Sequence, residues 1–192
     1  MMTQVNSRIL ITGAAGEIGR TLRTGLHDGR RRLRLLDIRP QAAAREGEEC
    51  VTADLADMAA LQHAVRDIDC IVHLAGVPRE GAWDAILPNN VIGTYNLFEA
   101  ARITGVRRVI FASSNHVIGY YRVTQTLGIT EPQRPDSRYG VSKAFGEALG
   151  RMYADKYGLE VACLRIGSFR ARPEDARQLA TWISHRDMVE LA

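Results

Sequence analysis

RILITGAAGEIG, residues 8–19, is the stretch on which the fold turns. Arg8 to Thr12 is a short apolar run that stops at glycine, the pattern of a buried strand. Gly13 to Gly16 make a glycine-rich turn, and Ile18, Leu22 and Leu26 at helical spacing carry a helix that should stop near Gly29. Gly13, Gly16 and Gly19 together form a GxxGxxG turn between strand and helix. Glycine there lets the backbone turn tightly and approach a pyrophosphate, whose charge the helix N-terminus favours. The same glycines would also serve close helix packing, so the pattern gains weight from its context. Leu33 to Leu36 form a second strand ending at Asp37, eighteen positions after Gly19, where a carboxylate can accept hydrogen bonds from both hydroxyls of an adenosine ribose. That carboxylate would repel a 2′-phosphate, which favours NAD over NADP. Arg39, just past the strand, could offset part of the repulsion and otherwise reads as a solvated turn residue before Pro40.

Outward from this stretch the alternation continues. Glu49 to Ala53 is a third strand, and Asp57 is placed to cap a helix carrying Leu61 and Val65. Ile68 to Leu74 reads as a predominantly apolar run, as expected of a central parallel strand covered on both faces. A longer helix runs through Val91, Tyr95, Leu97 and Ala101 to Gly105, followed by a strand at Arg108 to Ala112. A helix beginning near Tyr139 and a sixth strand at Val161 to Arg165 complete the series. The expectation is one α/β domain over residues 1–192, a doubly wound parallel sheet of the Rossmann type, with its ligand at the carboxyl ends of the strands.

Composition excludes several classes. The chain has 192 residues, 46% hydrophobic, 24% charged, with a net charge of +3, ordinary values for a globular domain. The basic cluster Arg30, Arg31, Arg32 and Arg34 has no interleaved aromatics and reads as a solvated turn, so no nucleic-acid partner is expected. Cys50, Cys70 and Cys163 are widely spaced and lie in or beside apolar segments, which points to buried free thiols in a reducing compartment. The five histidines, His27, His63, His73, His116 and His185, lack metal-ligand spacing, so no metal site is expected. Met1 to Arg8 is polar and leads into the first strand, without the look of a signal peptide, and no apolar run would span a bilayer. A cytoplasmic protein without a membrane partner is the expectation.

The chemistry points to Tyr139 and Lys143. On a helix marked by Ala144, Phe145, Ala148, Leu149 and Met152 they share a face one turn apart. Only Lys143 and Lys156 are lysines among 25 basic residues, so lysine at this place is informative. A phenol titrates near pH ~10, and making it a base near neutrality takes a shift of roughly three pH units, ~4 kcal/mol, supplied by positive charge that Lys143 is placed to provide in part. The plain alternative is an exposed tyrosine and a solvated lysine on an amphipathic helix.

With Thr12 to Gly19, Asp54 and Leu55, the turn after Leu74, Ser113 and Ser114, and Tyr139 with Lys143, the sequence resembles the extended short-chain dehydrogenase/reductase family over its whole length. Residues 111–121 (FASSNHVIGYY), 138–147 (RYGVSKAFGE) and 165–168 (RIGS) are similar to the uronate-oxidising, NAD-dependent group within it. The resemblance implies that Tyr139 removes the proton of a C1 hydroxyl while hydride passes to the nicotinamide, that Lys143 holds the nicotinamide ribose and lowers the tyrosine pKa, and that Ser114 bonds the same substrate oxygen. Strand alternation sends Ser113 and Ser114 to opposite sides, and the family's serine is the second. NAD would lie along Gly13, Gly16, Glu17, Ile18 and Gly19, then Asp37, Ile38, Asp54 and Leu55. It would continue over Leu74, Ala75, Gly76, Asn90 and Ile166 to Tyr139 and Lys143. The substrate, a uronic acid, would meet Pro78, Ser114, Asn115, His116 and Ser168, in the segments 113–121 and 165–177. Arg177 would grip its carboxylate with a two-point guanidinium fork. Arg177 otherwise reads as a surface arginine near Glu174, His116 as a satisfied loop histidine, and Asn90 as a helix residue without chemistry. Oxidising a ring hemiacetal at C1 yields a lactone, so the expected product is an aldarolactone.

Two rivals remain. A nucleotide-sugar epimerase or dehydratase would need a larger substrate domain, and a non-catalytic NAD-binding scaffold would have no use for a tuned phenol. The uronate group continues beyond the segment matching 181–192, where Trp182, Ile183, Met188, Val189 and Leu191 read as one apolar helix with uncovered surface. The expectations are therefore a C-terminally truncated fold, with NAD binding retained and uronate affinity weakened, and a homo-oligomer built on the two long helices.

Overall fold

The computed structural model describes residues 7–192; the polar N-terminal expectation for residues 1–6 lies outside them. Five parallel neighbour pairings arrange six strands, in the spatial order β3-β2-β1-β4-β5-β6. They are β1 (Arg8–Thr12), β2 (Arg32–Asp37), β3 (Glu48–Thr52), β4 (Cys70–His73), β5 (Arg108–Ser114) and β6 (Glu160–Ile166). The helices are α1 (Glu17–Gly25), α2 (Met58–Ala64), α3 (Trp83–Ile86), α4 (Gly93–Thr104), α5 (Arg138–Tyr157), α6 (Ala176–Thr181) and α7 (His185–Leu191). Strand order reverses between β1 and β4, so the crevice of a doubly wound sheet opens there, above Thr12, whose register partners are Leu36 and His73.

Alternation along the strands builds two cores. Leu10, Leu36, Ile71 and Phe111 face α2, α4 and α5, against Leu61, Leu97, Phe98 and Tyr153. Ile9, Ile11, Leu35 and Val72 face the other way, against Leu22 of α1 and Met188 of α7. Asp57 caps α2 by accepting from the Ala60 amide at 3.0 Å.

Three sequence expectations change. Trp182 and Ile183 are not helical: they form β8 (Trp182–Ile183), which pairs in parallel with β7 (Ser168–Phe169), because the Trp182 Nε1–H reaches the Arg170 carbonyl at 2.8 Å and holds the segment extended. The helix that follows is covered in part: Met188 is buried and Val189 packs against Gly25 of α1, while Leu191 stays exposed. The cysteines are free, but Cys50 and Cys163 are exposed and Cys70 half-buried: among the described residues β3 and β6, which carry Cys50 and Cys163, are the outer strands of the sheet. Arg34 is no solvated turn residue either: it pairs with Glu49 at 2.7 Å across β2 and β3 and donates to the carbonyls of Ala64 and Arg66.

The placement of α5 matters most for the site. Ser137 caps its start, its hydroxyl accepting from the Gly140 amide at 2.9 Å, and Glu80 accepts from the Tyr139 amide at 3.1 Å and from Arg138 at 3.0 Å. Gly146 lies directly on the Phe111 ring of β5 and Gly150 on Val161 of β6, where any side chain would collide. The helix therefore sits close on the sheet, with Tyr139 and Lys143 at the strand ends.

Candidate active site

A cleft of about 880 Å³ runs across the carboxyl ends of the strands. At one end the turn after β1 is folded so tightly that Gly13, at φ +71°, lies against the backbone of Ala75, 2.8 Å from where a Cβ would sit. Gly16 and Gly19 close the turn against the Gly13 carbonyl, leaving a bare backbone surface at the start of α1. Glu17, Ile18, Asp37, Ile38, Asp54 and Leu55 surround it, and Leu74, Ala75, Gly76 and Pro78 form the floor toward the middle. At the other end lie Ser114, Asn115, His116, Tyr139, Lys143, Ile166, Ser168 and Arg177. Of the residues singled out from sequence, only Asn90 is outside the lining. It is 2% exposed in a widened helical turn (Leu87–Ile92), where its amide oxygen accepts from the Val77 amide at 2.7 Å. Its Nδ2 donates to the Val77 carbonyl at 3.0 Å and to Ser142 at 3.1 Å, joining the floor to α5.

Asp37 is 4% exposed. Burial pushes its pKa up, but the hydrogen bonds from Arg39 and from the Ala15 amide outweigh this and hold the carboxyl below its ordinary value. Arg39 is exposed, as the solvated reading expected, but its guanidinium also pairs with Asp37, Nε 3.1 Å from Oδ1.

Tyr139 lies edge-on to His116, ring centroids 5.7 Å apart. Burial raises its pKa, against a hydrogen bond with Ser114 that lowers it. The Lys143 ammonium lies over ring faces, 5.0 Å from the Phe111 centroid and 5.6 Å from that of Tyr139. Lys143 is 6% exposed, and desolvation brings its pKa down to about 8. Ser113 and Ser114 part company: Ser113 donates to Glu147 Oε1 at 2.5 Å, while Ser114 faces Tyr139. Ser168 pairs with Thr181 at 2.9 Å, and Arg177 stands exposed at the cleft on α6.

Sequence reasoning assigned no role to several supporting groups. Glu147 is one: besides Ser113 it accepts from Arg165 at 2.9 and 2.7 Å and from Gln133 at 3.0 Å, tying α5, β5, β6 and the preceding loop together. Its spacing was a usable signal, since Tyr139, Lys143 and Glu147 recur every four residues on one helix face. His73 had no such signal. Its Nδ1 lies 2.8 Å from Thr12 Oγ1 and its Nε2 3.2 Å from Thr94 Oγ1, and burial, with the nearby Lys143 charge, lowers its pKa to about 3. The imidazole is thus a neutral strut beneath the turn. Asp136, 2.8 Å from His116 Nδ1, orients that ring.

The NAD dependent epimerase/dehydratase family model matches residues 9–187. The chain belongs to this family. Within the family it is similar to uronate dehydrogenases. It is 52% identical to that of Agrobacterium fabrum, covering 96% of this chain and 69% of the relative. Against that of Pseudomonas putida it is 47% identical, covering 100% of this chain and 72% of the relative. The crystal structure of a uronate dehydrogenase mutant from Agrobacterium tumefaciens complexed with NAD superposes with a TM-score of 0.94 at 51% identity, over 96% of this chain and 70% of that one. The bare glycine turn against Ala75 and the Asp37 carboxylate fit the family's cofactor, NAD.

Proposed function

We propose that this protein oxidises the C1 hydroxyl of cyclic uronic acids, glucuronate and galacturonate, to aldarolactones with NAD. The observation that carries the reading is the convergence of Ser114, Tyr139, Lys143 and Arg177 on one cleft with the glycine turn and Asp37. NAD, when bound, supplies the two-electron acceptor for C1. Asp37 would accept from its ribose hydroxyls, and the backbone at Gly13 and Gly16 would leave room for its pyrophosphate. Tyr139 takes the proton of the C1 hydroxyl, and Ser114 holds the same oxygen in line. A pKa near 8 leaves Lys143 mostly charged at pH 7, so it can leave the aromatic faces to bond ribose hydroxyls and stabilise the phenolate. Arg177 receives the uronate carboxylate in a two-point fork, and Asn115, His116 and Ser168 bond ring hydroxyls. Residues 1–192 in this reading form one NAD-binding domain with substrate segments at 113–121 and 165–177. The protein is cytoplasmic and self-associates through the exposed apolar residues Tyr95, Ile103, Val141 and Met152 of α4 and α5.

The test follows NADH at 340 nm with glucuronate, galacturonate and glucose, for the parent and Tyr139→Phe, with NAD binding measured separately by calorimetry. Turnover of the uronates but not glucose is expected, with kcat falling roughly 10²–10⁴-fold in the variant while NAD still binds. Equal turnover by the variant would remove Tyr139 from the base role.

A further inference from the structure

One polar side chain in the cleft lining is buried, held at one end and unpaired at the other. Gln178 is 8% exposed and lines the cleft beside Arg177, in the first turn of α6. Two bonds lock it. Its backbone amide donates to the capping carboxylate of Asp175 at 2.7 Å, and its side-chain Oε1 accepts from the Glu174 amide at 3.0 Å, so part of its work is to close the start of the helix. The bond from a backbone N–H settles which end of the carboxamide is the oxygen, because an NH2 group could not accept there. Nε2 keeps two N–H donors, without a partner among the described residues and without being sealed inside the protein. Its remaining opening is toward the cleft that the residue lines.

The helix beneath this donor is held at both ends. Trp182 Nε1 donates to the Arg170 carbonyl at 2.8 Å, the hydroxyls of Ser168 and Thr181 meet at 2.9 Å, and Gly167 lies so close to the Thr181 backbone that no side chain fits between them. Arg177 and Gln178 are thus presented to the cleft from one fixed turn.

We propose that Gln178 is a second, uncharged donor to the uronate carboxylate, its Nε2 acting beside the Arg177 fork to select acid sugars over those that carry a hydroxymethyl group at the same place. This deepens the uronate reading above and rests on it. A carboxylate only accepts and has room for about four hydrogen bonds, of which a guanidinium fork fills two. A neutral N–H adds a further bond to it without adding charge to the cleft. A hydroxymethyl oxygen at that place would return a weaker bond, since neither partner is ionised.

Two substitutions separate this role from capping alone. Gln178→Glu keeps an acceptor for the Glu174 amide and removes the donors, whereas Gln178→Met removes both. Steady-state kinetics with glucuronate and galacturonate, NAD binding by calorimetry and Tm are measured for the parent and the two variants. KM for the uronates should rise roughly tenfold in Gln178→Met and further in Gln178→Glu, where a new carboxylate meets that of the substrate. In both, kcat should stay within about threefold of the parent and NAD affinity should not change. Tm should fall only in Gln178→Met, which loses the bond at the helix start. A residue that only caps would instead leave Gln178→Glu with parental kinetics. A parental KM in either variant overturns the inference and leaves the dehydrogenase reading standing. A parent that binds NAD but oxidises no uronate removes that reading and this inference with it.

Discussion

Replacing Lys143 by methionine keeps most of the side-chain stem and removes the charge, and the structure predicts that the nucleotide-free protein gains stability while turnover is lost. Desolvation lowers the lysine pKa from 10.5 to about 8. At ~1.36 kcal/mol per pH unit, that difference means the protonated form costs the folded chain about 3 kcal/mol at neutral pH. Contacts of the ammonium with the Phe111 and Tyr139 rings return roughly 0.5–2 kcal/mol, so the variant should be more stable by about 1–3 kcal/mol. For a chain of this size that is an increase in Tm of roughly 3–10 °C. The pH dependence carries the sign. Above the unfolded value of 10.5 the lysine is neutral in both states and costs nothing. As pH falls from 10.5 to about 8 the unfolded chain takes up the proton first, stability is lost, and below about 8 the loss is complete. Scanning calorimetry of parent and Lys143→Met between pH 6 and pH 10.5 should therefore show a constant gap below pH 8 that closes toward pH 10.5. A variant that melts below the parent at pH 7, or a gap that does not narrow with rising pH, would refute the reasoning.

Arg177→Ala should raise KM for glucuronate and galacturonate roughly 10–100-fold, the loss of a charge-assisted carboxylate fork, with a smaller change in kcat, as read from steady-state kinetics. Equal KM values in parent and variant would move the carboxylate anchor elsewhere. Gly146→Ala places a methyl on the Phe111 ring, and lifting α5 off the sheet should cost about 1–3 kcal/mol in thermal or urea unfolding and lower kcat through displaced Tyr139 and Lys143. Full activity at parental stability would show that the helix packs more loosely than its glycines imply.

The succession of the six main strands, the parallel doubly wound class, the glycine turn and the Tyr139–Lys143 spacing were legible in the chain because each depends on neighbours in sequence. A largely apolar strand segment such as that within Ile68 to Leu74, a cap such as Asp57, and a helix face repeating every four residues are local patterns with local causes. What escaped depends on residues far apart in sequence or on position within the sheet. Cys50 and Cys163 are exposed because β3 and β6 are the outer strands among the described residues, and sheet order is not written in strand periodicity. Trp182 left the helical pattern for one tertiary hydrogen bond to Arg170.

The electrostatics divide in the same way. Sequence placed a carboxylate at Asp37 and an ammonium at Lys143, near a glycine turn and a tyrosine. Only the folded chain set the environments that tune them: Arg39 folded back over Asp37, Lys143 held against two rings and stripped of water, and Glu147 bound to Ser113, Arg165 and Gln133 from three other segments. Chemical identity is a property of the residue. The pKa and partner of a buried charge belong to whatever the tertiary structure packs around it, and these groups are brought together from positions as far apart as Phe111 and Arg165.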